Sequence, residues 1–336
     1  MIMQGKSSLV FKDDYNLDAL IKIKPSGDDF EMFITPRFND AYATGYEILS
    51  SRLVKAQLAS YELFIDVGAH YGYYSLLAAK ASPGIKIVSV EPIEENLRIL
   101  QRNLELNCVD SECFDIINAA ISSKSGTATI CKSEASDNCS LFPHPSSETL
   151  DRIEVSTVSL DQIIASYKAK RIFIKIDTDG HELEVFKGLS ESLNSEREIV
   201  IMFEMNPKMM KIAGTCIEDL FGFLKRAGLL LFAVDDINRC LYPLSQPTNL
   251  AMMESRFETS YYNVLCLHEK SAISVTFFSH SAALGGAERS LVDLIRGLTS
   301  KGFICNTILP SQGPLADLVL DRKSTRLNSS HGKLSR

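Results

Sequence analysis

The run Leu63-Phe64-Ile65-Asp66-Val67-Gly68-Ala69-His70-Tyr71-Gly72, followed by a second apolar run that ends at Glu91, constrains this chain most. An apolar segment ending in an acid predicts a buried strand. The glycine turn behind it opens a helix-like segment, and Ile85 to Val90 predicts a second strand that delivers a carboxylate. An open α/β sheet builds a nucleoside pocket in this way, at the carboxyl ends of its strands. Gly68 lets the backbone approach a ligand or take positive φ, and Gly72 lets the following helix sit close to the strand. Glu91 lies 19 residues beyond Gly72 and is spaced to accept hydrogen bonds from both ribose hydroxyls. A dinucleotide loop needs a second glycine where His70 stands, so that pyrophosphate can touch backbone. With a side chain there, the loop suits an adenosyl ligand without pyrophosphate, and S-adenosylmethionine fits. The plain alternative is a glycine turn of an α/β protein with no ligand.

Length and composition bound the rest. The chain has 336 residues, enough for one large domain or two, and 45% of them are apolar, enough for a sizeable core. Net charge is −7, but the last fifteen residues hold five basic residues and no acid, so residues 1–321 carry 30 basic against 42 acidic. An acidic body argues against nucleic acid or an anionic membrane as the main partner. The eight cysteines include no CxxC pair, and Cys108 and Cys113 are too sparse for a zinc site. Reduced thiols and a cytoplasmic setting are expected. No signal peptide is expected within residues 1–20, and Ala227 to Val234, the longest apolar run, is too short for a membrane span.

Along the chain, residues 1–60 read as a preface: strands over Leu17–Ile23 and Phe30–Ile34, then a helix over Tyr46–Leu58. This preface is either a lid over the pocket or an edge hairpin without chemical role, the second reading standing ahead. From Leu63 strands and helices alternate. Strands are expected at Leu63–Val67, Lys86–Val90, Phe114–Asn118, Thr127–Cys131, Glu154–Val158, Ile172–Ile176, Ile199–Phe203, Leu229–Val234 and Tyr261–Leu267. Helices are expected at Tyr73–Lys80, Glu94–Asn107, Leu160–Ser166, His181–Leu193 and Ile217–Ala227, with a turn at Asn206-Pro207. The alternation predicts a Rossmann-like, doubly wound, mostly parallel sheet with its last strand antiparallel.

Three blocks resemble FkbM-type class I S-adenosylmethionine-dependent methyltransferases: Asp66-Val67-Gly68-Ala69-His70-Tyr71-Gly72-Tyr73-Tyr74-Ser75, Val90-Glu91-Pro92, and Ile174-Lys175-Ile176-Asp177-Thr178-Asp179-Gly180-His181-Glu182. Softer likenesses are Asn118-Ala119-Ala120-Ile121-Ser122 before Gly126, Ser140-Leu141-Phe142 and Ser159-Leu160-Asp161. The resemblance runs from about Tyr61 to Leu267. It implies a seven-stranded sheet with a reversed last strand, and O-methylation of sugars or of polyketide- and lipid-linked products. The family usually carries Asn where His70 stands and Glu where Asp179 stands.

On this resemblance S-adenosylmethionine is the expected cofactor, held by Asp66, Gly68, Ala69, Gly72, Glu91, Pro92, Ala119 and Ala120. Asp66 takes the methionine amino group or braces the turn, Glu91 holds the ribose, and the two alanines leave room for adenine. Asp177 and His181 are the catalytic candidates. Asp177 accepts the substrate proton, helps hold a cation, or caps the next helix; His181 is a base or a solvated first-turn residue; Asp179 is a cap. Glu204 and Asn206 are substrate contacts or the start of a turn, and Lys175 is a buried ion-pair partner or a substrate contact. Asp177, Asp179, Asp236 and Glu204 lack metal-ligand spacing, so no metal is assigned.

The domain reading is an extension (1–60), a methyltransferase domain (61–268), a truncated glycosyltransferase-like fragment (273–321) and a basic tail (322–336). The fragment has a strand at Ile273–Phe278, a glycine turn at Ser279–Glu288, a helix at Ser290–Thr299 and a strand at Phe303–Leu309. It resembles the opening of a GT-B glycosyltransferase and is too short to bury a core alone, so disorder or docking is expected. Lys323–Arg336 resembles non-native read-through. The fusion suggests a small-molecule or glycan acceptor; oligomeric state is left open. A nicotinamide-dependent oxidoreductase is disfavoured by His70 and by the lack of a Tyr-x-x-x-Lys pair, and a non-catalytic nucleotide-binding module by the intact set of acids.

Overall fold

The structure is a computed structural model and describes residues 19–132, 141–142, 151–244, 261–268, 274–278, 285–300, 304–309, 314–315 and 325–329. Two compact units divide the chain, Met1–Cys266 and Leu267–Arg336.

The first unit opens with a hairpin, β1 (Ile21–Ile23) and β2 (Met32–Ile34), then short helix α1 (Asn39–Ala43) and helix α2 (Ile48–Leu58). Next come β3 (Leu63–Val67), α3 (Tyr73–Ala81), β4 (Lys86–Val90), α4 (Glu94–Leu106) and β5 (Phe114–Ile117). A small sheet follows, built from β6 (Ala120–Ile121), β7 (Gly126–Lys132) and β8 (Asp151–Val158). The chain continues through α5 (Leu160–Ala165), β9 (Arg171–Ile176), α6 (Glu182–Lys187), α7 (Ser190–Leu193), β10 (Glu198–Met205), α8 (Pro207–Ile212), α9 (Ile217–Arg226), β11 (Leu229–Asp235), β12 (Cys240–Pro243) and β13 (Tyr262–His268).

The main sheet has the order β12-β11-β13-β10-β9-β3-β4-β5. Strands β5, β4, β3, β9 and β10 are parallel, and β13 runs antiparallel to β10. This is the expected α/β Rossmann-like sheet with a reversed last strand. It has eight strands rather than seven because Cys240–Pro243 folds back antiparallel onto β11. That edge strand is short and half-exposed, so its sequence shows no buried run. The central strands are mostly apolar because helices cover both faces: every residue of β3 is buried, Asp66 included. Each fully buried phenylalanine here, such as Phe64, Phe173 and Phe203, contributes on the order of 1.5–3 kcal/mol by leaving water.

Register matters for the site. Directly opposed pairs across β3 and β9 include Asp66 with Lys175 and Val67 with Ile176. Several helices depart from expectation. The segment expected as one helix from His181 to Leu193 is two, α6 and α7, broken at Gly188. A Cβ there would lie 2.2 Å from the Ser122 carbonyl oxygen, and the Gly188 carbonyl accepts from Asp161 N at 2.8 Å. The Asp161 carboxylate then accepts from Glu191 N and Ser192 N, capping α7. The expected turn at Asn206-Pro207 instead starts α8, with Asn206 Oδ1 accepting from Met209 N at 3.2 Å and Pro207 in the first turn.

The hairpin is tied to α4 by two asparagines. The Asn103 amide accepts from Phe33 N at 2.6 Å and donates to Phe33 O at 3.0 Å. Asn107 does the same for Glu31, at 3.3 and 2.6 Å. Helix α2 is capped from far along the chain. Asp236 accepts from Leu49 N (2.6 Å), Ser50 N (2.8 Å) and Ser50 Oγ (2.7 Å).

The second unit contains a parallel three-stranded sheet of β14 (Ser274–Phe278), β15 (Ile304–Leu309) and β16 (Thr325–Ser329), with helix α10 (Gly286–Ser300). Phe277, Val292, Ile295 and Leu315 are buried. Within the basic tail, Thr325–Ser329 pairs with β15 in a pattern that no apolar periodicity announces. The glycine turn at 279–284 and residues 1–18 lie outside the described residues. Among the described residues no helix is long and apolar enough to cross a membrane.

Candidate active site

One cavity of about 520 Å³ opens at the carboxyl ends of β3, β4, β9 and β10. Asp66, Gly68, Ala69, Glu91, Pro92, Ala119, Ala120, Asp177 and His181 all line it; of the expected set only Gly72 does not. Gly72 instead has φ +85°, and a Cβ there would press on Leu100 of α4 at 3.1 Å, which explains its glycine by helix packing.

The loop after β3 is held by backbone: Gly68 N and Ala69 N both donate to Val90 O, at 2.9 and 3.1 Å. Gly68 has φ +74°, and a Cβ would meet the Asp177 carbonyl oxygen at 1.9 Å. The close approach read from this glycine is thus made by the neighbouring β9 loop. His70 also takes positive φ, +50°, and its ring stacks on Tyr71 at 3.7 Å and meets Phe38 edge-on. Burial, aided by Arg37, pulls the imidazole down to about 3, so it is neutral.

Glu91 is 4% exposed and fixed by three donors: Ile93 N (2.9 Å) and Asn96 Nδ2 (3.1 Å) on Oε1, and His70 N (3.0 Å) on Oε2. Oε1 is filled, whereas Oε2 keeps room for one more donor. Burial raises the carboxyl to about 7 against those three hydrogen bonds. Asp66, 3% exposed, accepts from Ser75 Oγ at 2.6 Å, and Ser75 Oγ also pairs with Ser89 Oγ at 2.7 Å. Burial lifts Asp66 to about 6. A nucleoside fits this side: a fixed carboxylate with a free acceptor position, two small alanines, and no room required for phosphate.

Asp177 follows β9 and is partly exposed. Neither Asp177 nor Asp179 caps α6, correcting that expectation. The N-cap position is His181, which makes no side-chain cap bond, and Glu182 Oε1 accepts from Gly180 N and Thr178 Oγ1 in the turn ahead of the helix, both at 3.1 Å. Gly180 is required by contact, since a Cβ would lie 2.8 Å from Met209 backbone. His181 is not a solvated first-turn residue. It is the N-cap position of α6, its Nε2 lies 3.2 Å from Ser122 Oγ, and its ring faces Phe142. Burial lowers its pKa, with Glu184 opposing. Asp236, once grouped with the crevice acids, is engaged as the cap of α2. Among the described residues no group of three or more His, Cys, Asp or Glu is disposed to hold a metal ion.

Of the two readings of residues 1–60, the less favoured one, a segment over the pocket, is the one that accords with the cavity lining, though the sequence reading singles out no residue there. Phe38, Ala41, Tyr42 and Tyr46 line the cavity, and Tyr42, Tyr46 and Tyr73 pack ring on ring at 4.9–5.5 Å. The signal was the tyrosine spacing through Tyr42, Tyr46, Tyr73 and Tyr74. Lys175 is 1% exposed and also lines the cavity. Burial alone would lower it, but the carboxylates of Asp177, Glu47, Glu204 and Asp66 outweigh this and keep it charged. Glu204, at the end of β10, is pushed well up by burial and by Asp177 and Asp179.

Known proteins place these features. The methyltransferase FkbM domain matches residues 66–230. Methyltransferase sdnD of Sordaria araneosa is 28% identical over 165 residues, covering 40% of this chain; the chain spans 63% of that relative's length. Among solved structures, methyltransferase FkbM from Methylobacillus flagellatus KT is similar at 15% identity and TM-score 0.39, over 62% of this chain and 43% of that one. The StiE O-MT structure is similar at 12% identity and TM-score 0.40, over 70% of this chain and 78% of that one. The match of residues 66–230 to the methyltransferase FkbM domain agrees with the strand order and with a cavity at the carboxyl ends of the strands.

Proposed function

We propose that the protein methylates a hydroxyl of a small-molecule or glycan acceptor, in the cytoplasm. The observation that carries this reading is that one cavity joins Glu91, Ala119 and Ala120 to Asp177 and Glu204. Bound S-adenosylmethionine supplies an electrophilic methyl on a sulfonium that is its own leaving group. Glu91 Oε2 accepts from the ribose, Ala119 and Ala120 border the adenine, and Asp66 accepts from the methionine ammonium. Asp177, partly exposed, is the carboxylate placed to take the acceptor's hydroxyl proton. His181 is committed to Ser122, so in this reading it shapes the wall and Asp177 is the base. The aromatic rings of Tyr42 and Tyr46, which line the same cavity, help to exclude water.

The test is calorimetric titration of S-adenosylmethionine and NAD into the full chain and into Glu91→Ala, followed by a methylation assay on oligosaccharides, nucleotide sugars and phenols. Expected is binding of the methyl donor, weakened in the variant by about 1.5–3 kcal/mol, and a methylated sugar. NAD binding in its place sinks the reading; methylation of phenols alone removes the glycan acceptor.

A further inference from the structure

Lys175 is the buried cation of this cavity, kept charged by the carboxylates around it. It is an ammonium with 1% exposure, on a strand, whose hydrogen bonds among the described residues are two long ones: 3.4 Å to Ile176 O and 3.5 Å to Asp177 Oδ2. The ring of Tyr74 lies 5.2 Å from Nζ. A buried ammonium with weak partners is costly unless something else completes its shell. The cavity wall has one other cation, Lys208, which is exposed, against five acids. A positively charged ligand therefore finds many partners here, and an anionic group finds Lys175.

Asp66 and Lys175 are directly opposed on adjacent parallel strands, so their side chains leave the same face of the sheet. Adjacent strands run about 4.8 Å apart. Both residues line the cavity, yet each is paired elsewhere, Asp66 with Ser75 and Lys175 with Asp177. The result is an acid and an ammonium side by side that attract each other without sharing a hydrogen bond. An α-amino acid presents the complementary pair, ammonium and carboxylate on one carbon.

We propose that Lys175 binds the carboxylate of the methionine moiety, so that Asp66 and Lys175 together receive the cofactor's zwitterionic end. This rests on the methyl-donor reading above. It makes Lys175 a binding residue that selects a ligand with an intact amino-acid carboxylate. A lysine that merely neutralises Asp177 would not distinguish ligands by that group.

The test compares S-adenosylmethionine with its decarboxylated form, by calorimetry on the full chain, in wild type, Lys175→Met and Lys175→Gln. Circular dichroism and melting check that the variants fold. Wild type is expected to prefer the intact cofactor by about 10- to 100-fold, and both variants to bring that ratio near one, whatever the change in either affinity alone. A wild-type ratio near one, or a ratio that persists in the variants, overturns the assignment. Should the neutral variants fail to fold, Lys175→Arg displaces the charge and must lower the ratio; an unchanged ratio overturns the assignment. Failure of both ligands to bind wild type strikes the methyl-donor reading itself.

Discussion

At the scale of single residues, the site is a set of carboxyls kept out of water. Burial raises Asp66 to about 6 and Glu91 and Glu182 to about 7. A carboxyl raised in the fold contributes stability that is complete below its unfolded value and is lost as pH rises through the folded value. Between pH 6.5 and 8 the unfolded chain's carboxyls have given up their protons; its imidazoles, half protonated at pH 6.5, oppose the trend through the lowered His70 and His181, but the raised carboxyls are the larger set and give the slope its sign. The melting temperature of the free protein is expected to fall across that window. Ribose hydroxyls donate to an ionised Glu91, so cofactor binding is favoured by the same rise in pH. The upward melting shift caused by S-adenosylmethionine should therefore grow from pH 6.5 to 8. Differential scanning fluorimetry reads both trends, and a shift that shrinks with pH would remove Glu91 from the ribose. Asp66, Glu91 and Asp177 were legible because each ends an apolar run. The hydrogen bond of His181 to Ser122 was not, since the two residues are 59 positions apart.

Among elements, the strands that alternate with helices were the readable part: β3 and β4 have their expected bounds, Leu63–Val67 and Lys86–Val90. Elements set by tertiary contact were not. The expected helix from Tyr46 begins only at Ile48 because Glu47 is left-handed, at φ +43°, with its carboxylate bonded by Tyr74 and Asn263. The helix start is then supplied by Asp236, which no local pattern reveals. Helix α8 is the converse case. Its Asn206 cap and Pro207 are a local signal, and the segment reads as a turn only if the helix behind it is overlooked. Asp236→Ala removes three hydrogen bonds from the start of α2 and is expected to cost about 1–2 kcal/mol of stability. Urea denaturation measures it, and a variant as stable as wild type would show that α2 needs no cap.

For the whole molecule, every residue lining the cavity lies between Phe38 and Tyr261, inside the first unit. Removing residues 269–336 should leave S-adenosylmethionine affinity within about twofold of the full chain, well under the 1.4 kcal/mol that marks a tenfold change. A larger loss by calorimetry would make the second unit part of the site. The second unit was only partly legible: the strand–helix–strand pattern from Ser274 to Leu309 reads from apolar periodicity, whereas β16 exists by pairing with β15 alone. Asn103 and Asn107 have a consequence beyond anchoring. A two-stranded hairpin offers open backbone on each flank, and such flanks recruit strands from other molecules into aggregates. Here the free flank of β2 meets side-chain amides that donate and accept as another strand would. The β2 flank is thus taken by the molecule's own helix, which leaves less open backbone for edge-to-edge association.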